Sequence, residues 1–215
     1  MKKTYVYIDG FNFYYGAVKG TSYKWLNFRA LCENLFSKNR ITKIKYFTAR
    51  VMSPPEDPRK SLRQDIYIQA LKTLPNLEVV EGNFRQDVKV RPLAFRFENG
   101  RYNTRWKAPV LIWEEKGSDV NLGAHLVNDA WKNLYEVAII ISNDTDLVAA
   151  IQIVKNETRK PVGIVLPTFR QSKKMAVPLQ RLASFHARIT KSLLQNSQFP
   201  DNIPGTNLRR PKEWY

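Results

Sequence analysis

The clearest candidates for chemistry are Asp144 and Asp146, two carboxylates that follow directly on an apolar run. That run, residues 137–141, is continuous enough to suit a strand buried on both faces, as in a parallel sheet. A helical spacing of apolar residues follows at residues 147–154. Because parallel sheets bind ligands beyond the carboxyl ends of their strands, we expect both carboxylates to lie at such a site.

Two further aspartates fall at comparable positions. Asp9 ends a predicted strand, and Asp119 opens a predicted helix, as Asp146 does. In a parallel sheet the ends of the strands and the starts of the following helices share one edge. The sequence therefore predicts that these three aspartates and Asp144 converge.

A group of four carboxylates is tolerated only with a compensating cation or with raised pKa values. Mg²⁺ and Mn²⁺ suit ligation by oxygen alone, through carboxylates, water and substrate phosphates. Such an ion activates water and stabilises charge on a phosphoryl oxygen. The pattern therefore predicts metal-assisted cleavage of a phosphodiester, with Asn12 and Ser142 orienting water or the metal.

Each of these residues also has a structural explanation that the sequence leaves open. The two aspartates that open helices suit caps or partners of the helix dipole. The two aspartates that end strands suit hydrogen-bonded turns, and Asn12 and Ser142 suit similar roles. The chain contains no phosphate-binding Gly-rich loop, no zinc pattern of Cys and His, and no Gly-x-Ser-x-Gly elbow. Kinase, zinc and serine-hydrolase chemistry therefore have little support.

The charge of the chain favours a polyanionic partner. It carries 35 Lys and Arg against 19 Asp and Glu, a formal net charge of +16 at pH 7. Such an excess is typical of proteins that bind nucleic acid. A basic surface that only aids solubility has the same composition.

The setting predicted for the chain is cytoplasmic. A single cysteine, Cys32, excludes an intramolecular disulfide and fits a reducing compartment. The amino end does not resemble a signal peptide, and no apolar segment reaches the ~18 residues that a membrane span needs. We therefore expect no membrane partner; a homodimer is left open.

Residues 85–107 alternate apolar and basic side chains and contain Asn99-Gly100, the strongest short signal for a hairpin. We predict an inserted β-hairpin over one edge of the sheet, gripping nucleic acid through aromatic and cationic side chains. An ordinary amphipathic hairpin with buried aromatic residues is the alternative. The predicted nucleic-acid-binding residues here and elsewhere in the chain are Arg85, Lys89, Arg91, Arg96, Arg101, Arg105, Lys116, Lys173 and Lys174.

The order of the predicted elements alternates strand and helix along most of the chain. This alternation predicts an α/β protein, a three-layer α/β/α sandwich with a mainly parallel central sheet. A strand is expected at residues 110–113, re-entering the core, and helix is expected from the end of a strand at residues 162–166 to about Gln195. The predicted domain spans residues 1–195, and a tail rich in Pro and Asn spans residues 196–215.

Three segments resemble the NYN-domain branch of the PIN-like nucleases, in matching order. They are Tyr-Ile-Asp-Gly-Phe-Asn at residues 7–12, Glu-Lys-Gly-Ser-Asp-Val-Asn at residues 115–121 and Ile-Ser-Asn-Asp-Thr-Asp-Leu at residues 141–147. The resemblance covers roughly residues 4–190. It implies a PIN-like sandwich and a ribonuclease centre dependent on Mg²⁺ or Mn²⁺, and we therefore expect RNA, single-stranded or structured, as the partner. It also implies that the four aspartates bind metal, with Asn12 beside them.

One position departs from that pattern. Similar proteins often have Ala-Asp-x-Phe in the late helix, where this chain has Ser184 after Ala183. The change removes an acid at the outside of the expected site. Two consequences are open: weaker binding of a second metal, or a change in packing alone.

Three functions remain in competition. The first is a metal-dependent endoribonuclease, and the second is a non-catalytic module that binds RNA or recruits a partner. The third is a metal-dependent phosphatase or a nuclease directed at DNA, for which the same acids would serve.

Overall fold

The structure is a computed structural model, and it describes residues 1–94, 97, 100–102 and 104–215. Its strands are β1 (Lys3–Asp9), β2 (Arg40–Ala49), β3 (Leu77–Pro92), β4 (Lys107–Lys116), β5 (Val137–Ile141), β6 (Val162–Leu166) and β7 (Phe185–Arg188). Its α-helices are α1 (Gly10–Phe13), α2 (Phe28–Leu35), α3 (Lys60–Lys72), α4 (Ser118–Trp131), α5 (Val148–Glu157), α6 (Val177–Leu182) and α7 (Lys191–Asn196). No helix among these residues has the length and apolar character needed to cross a membrane.

The strands form one seven-stranded sheet in the order β4-β3-β2-β1-β5-β6-β7. Every neighbouring pair is parallel except β3 and β4, which are antiparallel. The prediction of a mainly parallel sheet is confirmed. The two central strands, β1 and β5, are direct neighbours, so the chain leaves both of them at the same edge of the sheet.

Helices cover both faces of the sheet and enclose two hydrophobic cores. Side chains alternate along a strand, so Val6 and Ile8 face one core while Tyr7 faces the other. The first core also receives α2, α3 and α7, and the second receives α4, α5 and α6. All five residues of β5 are buried, as their continuous apolar run predicted. The predicted three-layer α/β/α sandwich is therefore confirmed.

The prediction of continuous helix up to Gln195 is wrong. The helices α6 and α7 are separated by β7, which pairs in parallel with β6 and extends the sheet. The hydroxyl of Ser184 accepts a hydrogen bond from the Val162 backbone N–H at 3.2 Å, where β6 begins. A strand of four residues is too short for its period to be told from that of a helix.

One helix face was also assigned incorrectly. The apolar pattern of residues 119–134 predicts a helix with Val120 and Trp131 on its inner face, but these two side chains are 74% and 61% exposed. The buried stripe of α4 is formed by Leu122, Leu126 and Ala130, four residues apart. The two misassigned side chains are apolar but lie off that stripe, so the count of apolar residues alone overstated the buried face.

The predicted hairpin at residues 85–107 is part of a longer two-stranded ribbon. β3 runs past the edge of the parallel sheet without a break, and β4 returns beside it from Pro92↔Lys107 to Asn83↔Lys116. The strand expected in the core at residues 110–113 is therefore the returning arm, and its Leu111 is 50% exposed. Of the predicted turn, Gly100 has a left-handed φ of 79°; Asn99 lies outside the described residues.

The segment after residue 195 packs on the first core. Trp25 lies between Phe199 and Trp214, with ring centroids at 5.5 and 6.2 Å. The indole N–H of Trp25 also donates to the Pro200 carbonyl at 2.8 Å. These contacts tie the segment to the loop that precedes α2, and the division of the chain at residue 195 stays a prediction.

Candidate metal centre

Three of the four predicted acids meet at the carboxyl edge of the sheet. Asp9, Asp119 and Asp144 each offer a carboxylate oxygen, and these oxygens lie within 4.8 Å of one another. The parallel pairing of β1 with β5 brings Asp9 and Asp144 to one edge, since Ile8 lies opposite Ile141. The first turn of α4 supplies Asp119. The group therefore draws on a central strand, the loop after its neighbour and a helix start.

Hydrogen bonds hold Asp9 in one orientation. Its Oδ1 accepts from the backbone N–H of Asn12 at 2.9 Å, and its Oδ2 accepts from the hydroxyl of Ser142 at 2.9 Å. The same hydroxyl accepts from the backbone N–H of Asp144 at 3.1 Å. Burial raises the pKa of Asp9 above its ordinary value, against these hydrogen bonds, which lower it. Ser142 thus fixes the spacing of two acids.

Asn12 ties the start of α1 to the loop after β5. Its side-chain oxygen accepts from the backbone N–H of Asn143 at 3.1 Å. The Asn143 side chain in turn accepts from the Ala176 backbone N–H at 2.8 Å, just before α6. The predicted auxiliary residues Asn12 and Ser142 therefore stand beside the acids and order the backbone around them.

Asp146 lies outside the three-acid group. It is exposed, and its backbone N–H donates to Oδ1 of Asp144 at 2.9 Å in the short helical turn Thr145–Leu147. Its charge nevertheless contributes to raising the pKa of Asp119. The structure thus places Asp146 at the rim of the site.

Asp119 has the most perturbed acidity of the group. Burial raises its pKa from 3.8 to about 6, and the charges of Asp9, Asp144, Glu115 and Asp146 add to the shift in that order. A half-buried carboxylate surrounded by other acids is stabilised by a nearby positive charge. The site therefore favours an added cation.

Glu115 is an acid of this site that the sequence reasoning did not single out. It lines the same cleft, and its charge raises the pKa of both Asp9 and Asp119. Its Oε1 accepts from the Ser118 backbone N–H at 2.8 Å and from the Ser118 hydroxyl at 2.5 Å, which fixes it at the start of α4. The sequence signal was its place in the second of the three family-like segments.

The acids open into a cleft of about 430 Å³. Asp9, Asp119, Asp144 and Glu115 line it together with two cationic side chains from the loop after β6, Arg170 and Lys173. Arg188 organises that loop by donating to the carbonyl oxygens of Arg170 and Lys173 at 2.9 and 2.8 Å. The predicted Lys173 is therefore at the cleft, and Arg170 joins it without having been predicted.

The other predicted nucleic-acid-binding residues lie further away from this cleft or outside the described residues. Lys174 is exposed beside Lys173, and Arg101 and Arg105 are exposed near the end of the ribbon. Arg96 lies outside the described residues. Lys89 and Lys116 both pair with Glu114, at 2.9 and 3.0 Å.

The two faces of the ribbon differ in chemistry. Residues directly opposite each other in an antiparallel pair share a face. Arg85 lies opposite Glu114, and their face also carries Lys89, Arg91 and Lys116. Phe84 lies opposite Glu115, and their face carries apolar side chains further along, such as Val88 opposite Leu111. The basic face of the ribbon is therefore turned away from the face that carries Glu115.

The residues present fit a hard divalent cation. The three-acid group offers only oxygen ligands, and the pKa of Asp119 is raised by burial and by the charges of the other two acids. Mg²⁺ and Mn²⁺ prefer a few carboxylates and complete their coordination with water and substrate phosphate. Asp9, Asp119 and Asp144 are the residues that would hold such an ion.

A comparison with known protein families identifies the family to which the chain belongs. A family model described as the NYN domain matches residues 3–187, nearly the whole chain. The chain belongs to the NYN domain family. The NYN domain is one of the PIN-like nuclease folds, and the family assignment made from the three sequence segments is confirmed.

Two relatives extend the comparison. The chain is 32% identical to 6-hydroxy-3-succinoylpyridine 3-monooxygenase HspA of Pseudomonas putida, over 99% of this chain and 75% of that protein. Its fold is similar to a crystal structure of a Vibrio parahaemolyticus protein of unknown function, with a TM-score of 0.55 and 15% identity. That match covers 92% of this chain and 96% of the other. The structural likeness shows that the two chains share a fold.

Proposed function

We propose that this NYN protein is a metal-dependent nuclease that hydrolyses phosphodiester bonds in RNA. The observation that carries the proposal is the convergence of Asp9, Asp119 and Asp144, with carboxylate oxygens within 4.8 Å of one another. The family supports nuclease chemistry at the coarser level. The net charge of +16 supports a polyanionic substrate.

The acidic side chains of the cleft bind the metal in this proposal. Asp9, Asp119 and Asp144 hold Mg²⁺ or Mn²⁺, and Asp146 adds negative charge at the rim. When bound, such an ion lowers the pKa of water and stabilises charge on the phosphoryl oxygens. Ser142 holds Asp9 and Asp144 at a fixed spacing through its two hydrogen bonds. Glu115 completes the acidic wall of the cleft.

Cations that line the cleft together with the acids position the RNA backbone. Arg170 and Lys173 contribute to the lining from the loop after β6. The exposed cations Lys174, Arg85 and Arg91 add a sequence-independent attraction further out. We expect RNA affinity to fall steeply with salt for this reason.

The direct test is Asp144→Asn in an RNA cleavage assay with Mn²⁺. Asparagine keeps the oxygen that accepts from the Asp146 backbone N–H but removes the charge. We expect the variant to fold and to lose cleavage by at least about a hundredfold, because mutating a residue that only hydrogen-bonds a metal ligand already costs about 10- to 100-fold. Asp65→Asn, which removes an acid from an exposed ion pair with Arg50, is the matched control and keeps activity.

The same assay separates the competing functions. A non-catalytic module would shift RNA in a gel in the presence of EDTA and yield no metal-dependent fragments. A DNA-directed nuclease or a phosphatase would act on single-stranded DNA or on a phosphomonoester in preference to RNA. Unchanged RNA cleavage by Asp144→Asn would show that the three-acid group is not the site of cleavage.

A second candidate is oxygenation of a hydroxylated pyridine. The 32% identity to the HspA monooxygenase, over 99% of this chain, favours it. The test supplies 6-hydroxy-3-succinoylpyridine, oxygen and a reduced nicotinamide or flavin, and measures substrate-dependent consumption of the reductant. Consumption together with a hydroxylated product would support this candidate, and its absence alongside Mn²⁺-dependent RNA cleavage would support the nuclease.

A further inference from the structure

A second cavity lies directly beside the acidic cleft. It encloses about 240 Å³ between α1, α3 and the end of the chain. Much of its wall is aromatic, including Phe11, Tyr14, Tyr15, Tyr67 and Trp214. Flat aromatic walls favour a flat ring as the ligand, because rings stack on rings with offset or edge-to-face geometry.

The two cavities share walls. Phe11 and Tyr15 line both of them, and Phe11 follows Asp9 by only two residues in the chain. Phe84, at the base of the ribbon, stacks on Phe11 with ring centroids 6.3 Å apart. A molecule with one group in the acidic cleft can therefore place its neighbouring group in the aromatic cavity.

The last residues of the chain complete the aromatic cavity. Trp214 packs against Trp25 and Tyr67, with centroids at 6.2 and 5.8 Å, and lines the cavity wall. Glu213 beside it lies 3.4 Å from Arg59 and 3.6 Å from Arg63. The segment after residue 195 thus contributes directly to a cavity next to the candidate metal centre.

The cavity also holds cationic side chains in excess of its acids. Arg63 is 14% exposed and is matched by Asp57 and Glu213, the acids that line the cavity. Within the described part of the chain, no carboxylate lies within ion-pair distance of the half-buried Lys24 or Lys60. Burial lowers the pKa of Lys24, and the nearby Arg63 charge adds to that effect. An anion beside Lys24 would stabilise its ammonium group against both burial and the repulsion from Arg63.

We propose that the aromatic cavity binds the base of the nucleotide next to the phosphate held in the acidic cleft, with Lys24 contacting a phosphate of that nucleotide. The inference rests on the proposed function and names a subsite for its substrate. Stacking on aromatic side chains accepts any base, so the subsite positions the strand without selecting a sequence.

The test measures binding of adenosine 5′-monophosphate by calorimetry in EDTA, where the acid group holds no metal. We expect the nucleotide to bind more tightly than adenosine, because only the nucleotide offers an anion to Lys24. Lys24→Met should weaken nucleotide binding by about tenfold, to the level of adenosine. Lys38→Met, in the exposed turn after α2, is the matched control and keeps the wild-type affinity. Lys60→Met serves as a second variant if Lys24→Met does not fold.

Three outcomes would overturn the subsite. One is a nucleotide affinity of Lys24→Met, or of Lys60→Met where Lys24→Met does not fold, that equals the wild-type affinity. Another is no detectable binding of the nucleotide. The third is binding of pyridine-3-carboxylate in place of the nucleotide, which would assign the cavity to a small aromatic acid. Loss of RNA cleavage in Asp144→Asn with retained nucleotide binding supports both sites. Nucleotide binding that depends on Lys24 in a protein without Mn²⁺-dependent cleavage would support the subsite and end the nuclease proposal.

Discussion

Replacing Asp119 by Asn should stabilise the metal-free protein at neutral pH. The folded chain holds the pKa of Asp119 at about 6, against 3.8 for the ordinary carboxyl. A carboxyl with a raised pKa in the folded state does not lower the free energy of unfolding below pH 3.8, where it is protonated in both states. Its cost grows as the pH rises towards 6 and is complete above that. Asparagine has no charge to bury, so the variant avoids this cost.

The magnitude follows from the two pKa values. Their difference corresponds to about 3 kcal/mol, and the partial exposure of Asp119 reduces this to roughly half. The carboxylate of Asp119 lies in the first turn of α4, where its interaction with the helix dipole stabilises the wild type by ~0.5 kcal/mol, and asparagine loses that interaction. We therefore expect Asp119→Asn to raise the free energy of unfolding by about 1 kcal/mol, or about 3 °C in Tm for a chain of this size.

The assay compares urea denaturation of the wild type and Asp119→Asn in EDTA at two pH values. Near pH 7.5 the variant should be the more stable, and near pH 4.5 most of the difference should disappear, because Asp119 is then largely protonated. Saturating Mn²⁺ should reverse the order, since only the wild type gains binding energy, about 2.7 kcal/mol at a hundredfold excess over Kd. A variant that is less stable in EDTA near pH 7.5, or a difference independent of pH, would refute the electrostatic description of the site.

Two further substitutions test the packing around the centre. A Cβ at Gly16 would lie 2.2 Å from the Pro167 carbonyl oxygen, so Gly16→Ala should cost about 1–3 kcal/mol and reduce cleavage, as both residues line the acidic cleft. Gly123→Ala, with only an ordinary contact to Ala150, is the control in thermal melts, and equal melting of the two variants would contradict the prediction. Lys45→Met leaves the buried Asp129 without its cation at 2.6 Å and should cost about 3–5 kcal/mol in urea denaturation. Lys43→Met breaks a more exposed pair with Glu78 and should cost no more than about 1 kcal/mol, and a loss as small in Lys45→Met would be inconsistent with a buried pair.

The convergence of the acids was predictable from sequence because strand direction fixes where side chains go. The apolar run before Asp144 indicated a strand buried on both faces, and such strands occur in parallel sheets. A parallel arrangement brings Asp9 to the same edge without any knowledge of the loops. The side-chain distances were not predictable, since Asp146 is only two residues from Asp144 and still lies at the rim.

The role of Glu115 could not be derived from local pattern. Its position depends on β4 returning antiparallel along β3, and on Gly117, whose left-handed φ of 96° turns the chain sharply into α4. Neither the length of the ribbon nor its pairing register is visible in the periodicity. The sequence predicted the ribbon only as a hairpin at residues 85–107, whereas β3 begins at Leu77, beside β2 in the parallel sheet.

Ser184 shows how topology decides the meaning of a substitution. The sequence suggested that an outer acid had been lost at this position. In the structure Ser184 hydrogen-bonds the backbone at the start of β6, the opposite end of that strand from the cleft residue Leu166. An acid here would lie at the wrong edge of the sheet to reach the three-acid group.

The most direct measurement is a crystal of the protein soaked in Mn²⁺ and examined by anomalous scattering at the manganese edge. We expect a peak at coordination distance from carboxylate oxygens of Asp9, Asp119 and Asp144, and the loss of that peak in Asp144→Asn. A map without a peak between these three side chains, at a Mn²⁺ concentration that supports RNA cleavage, would contradict it.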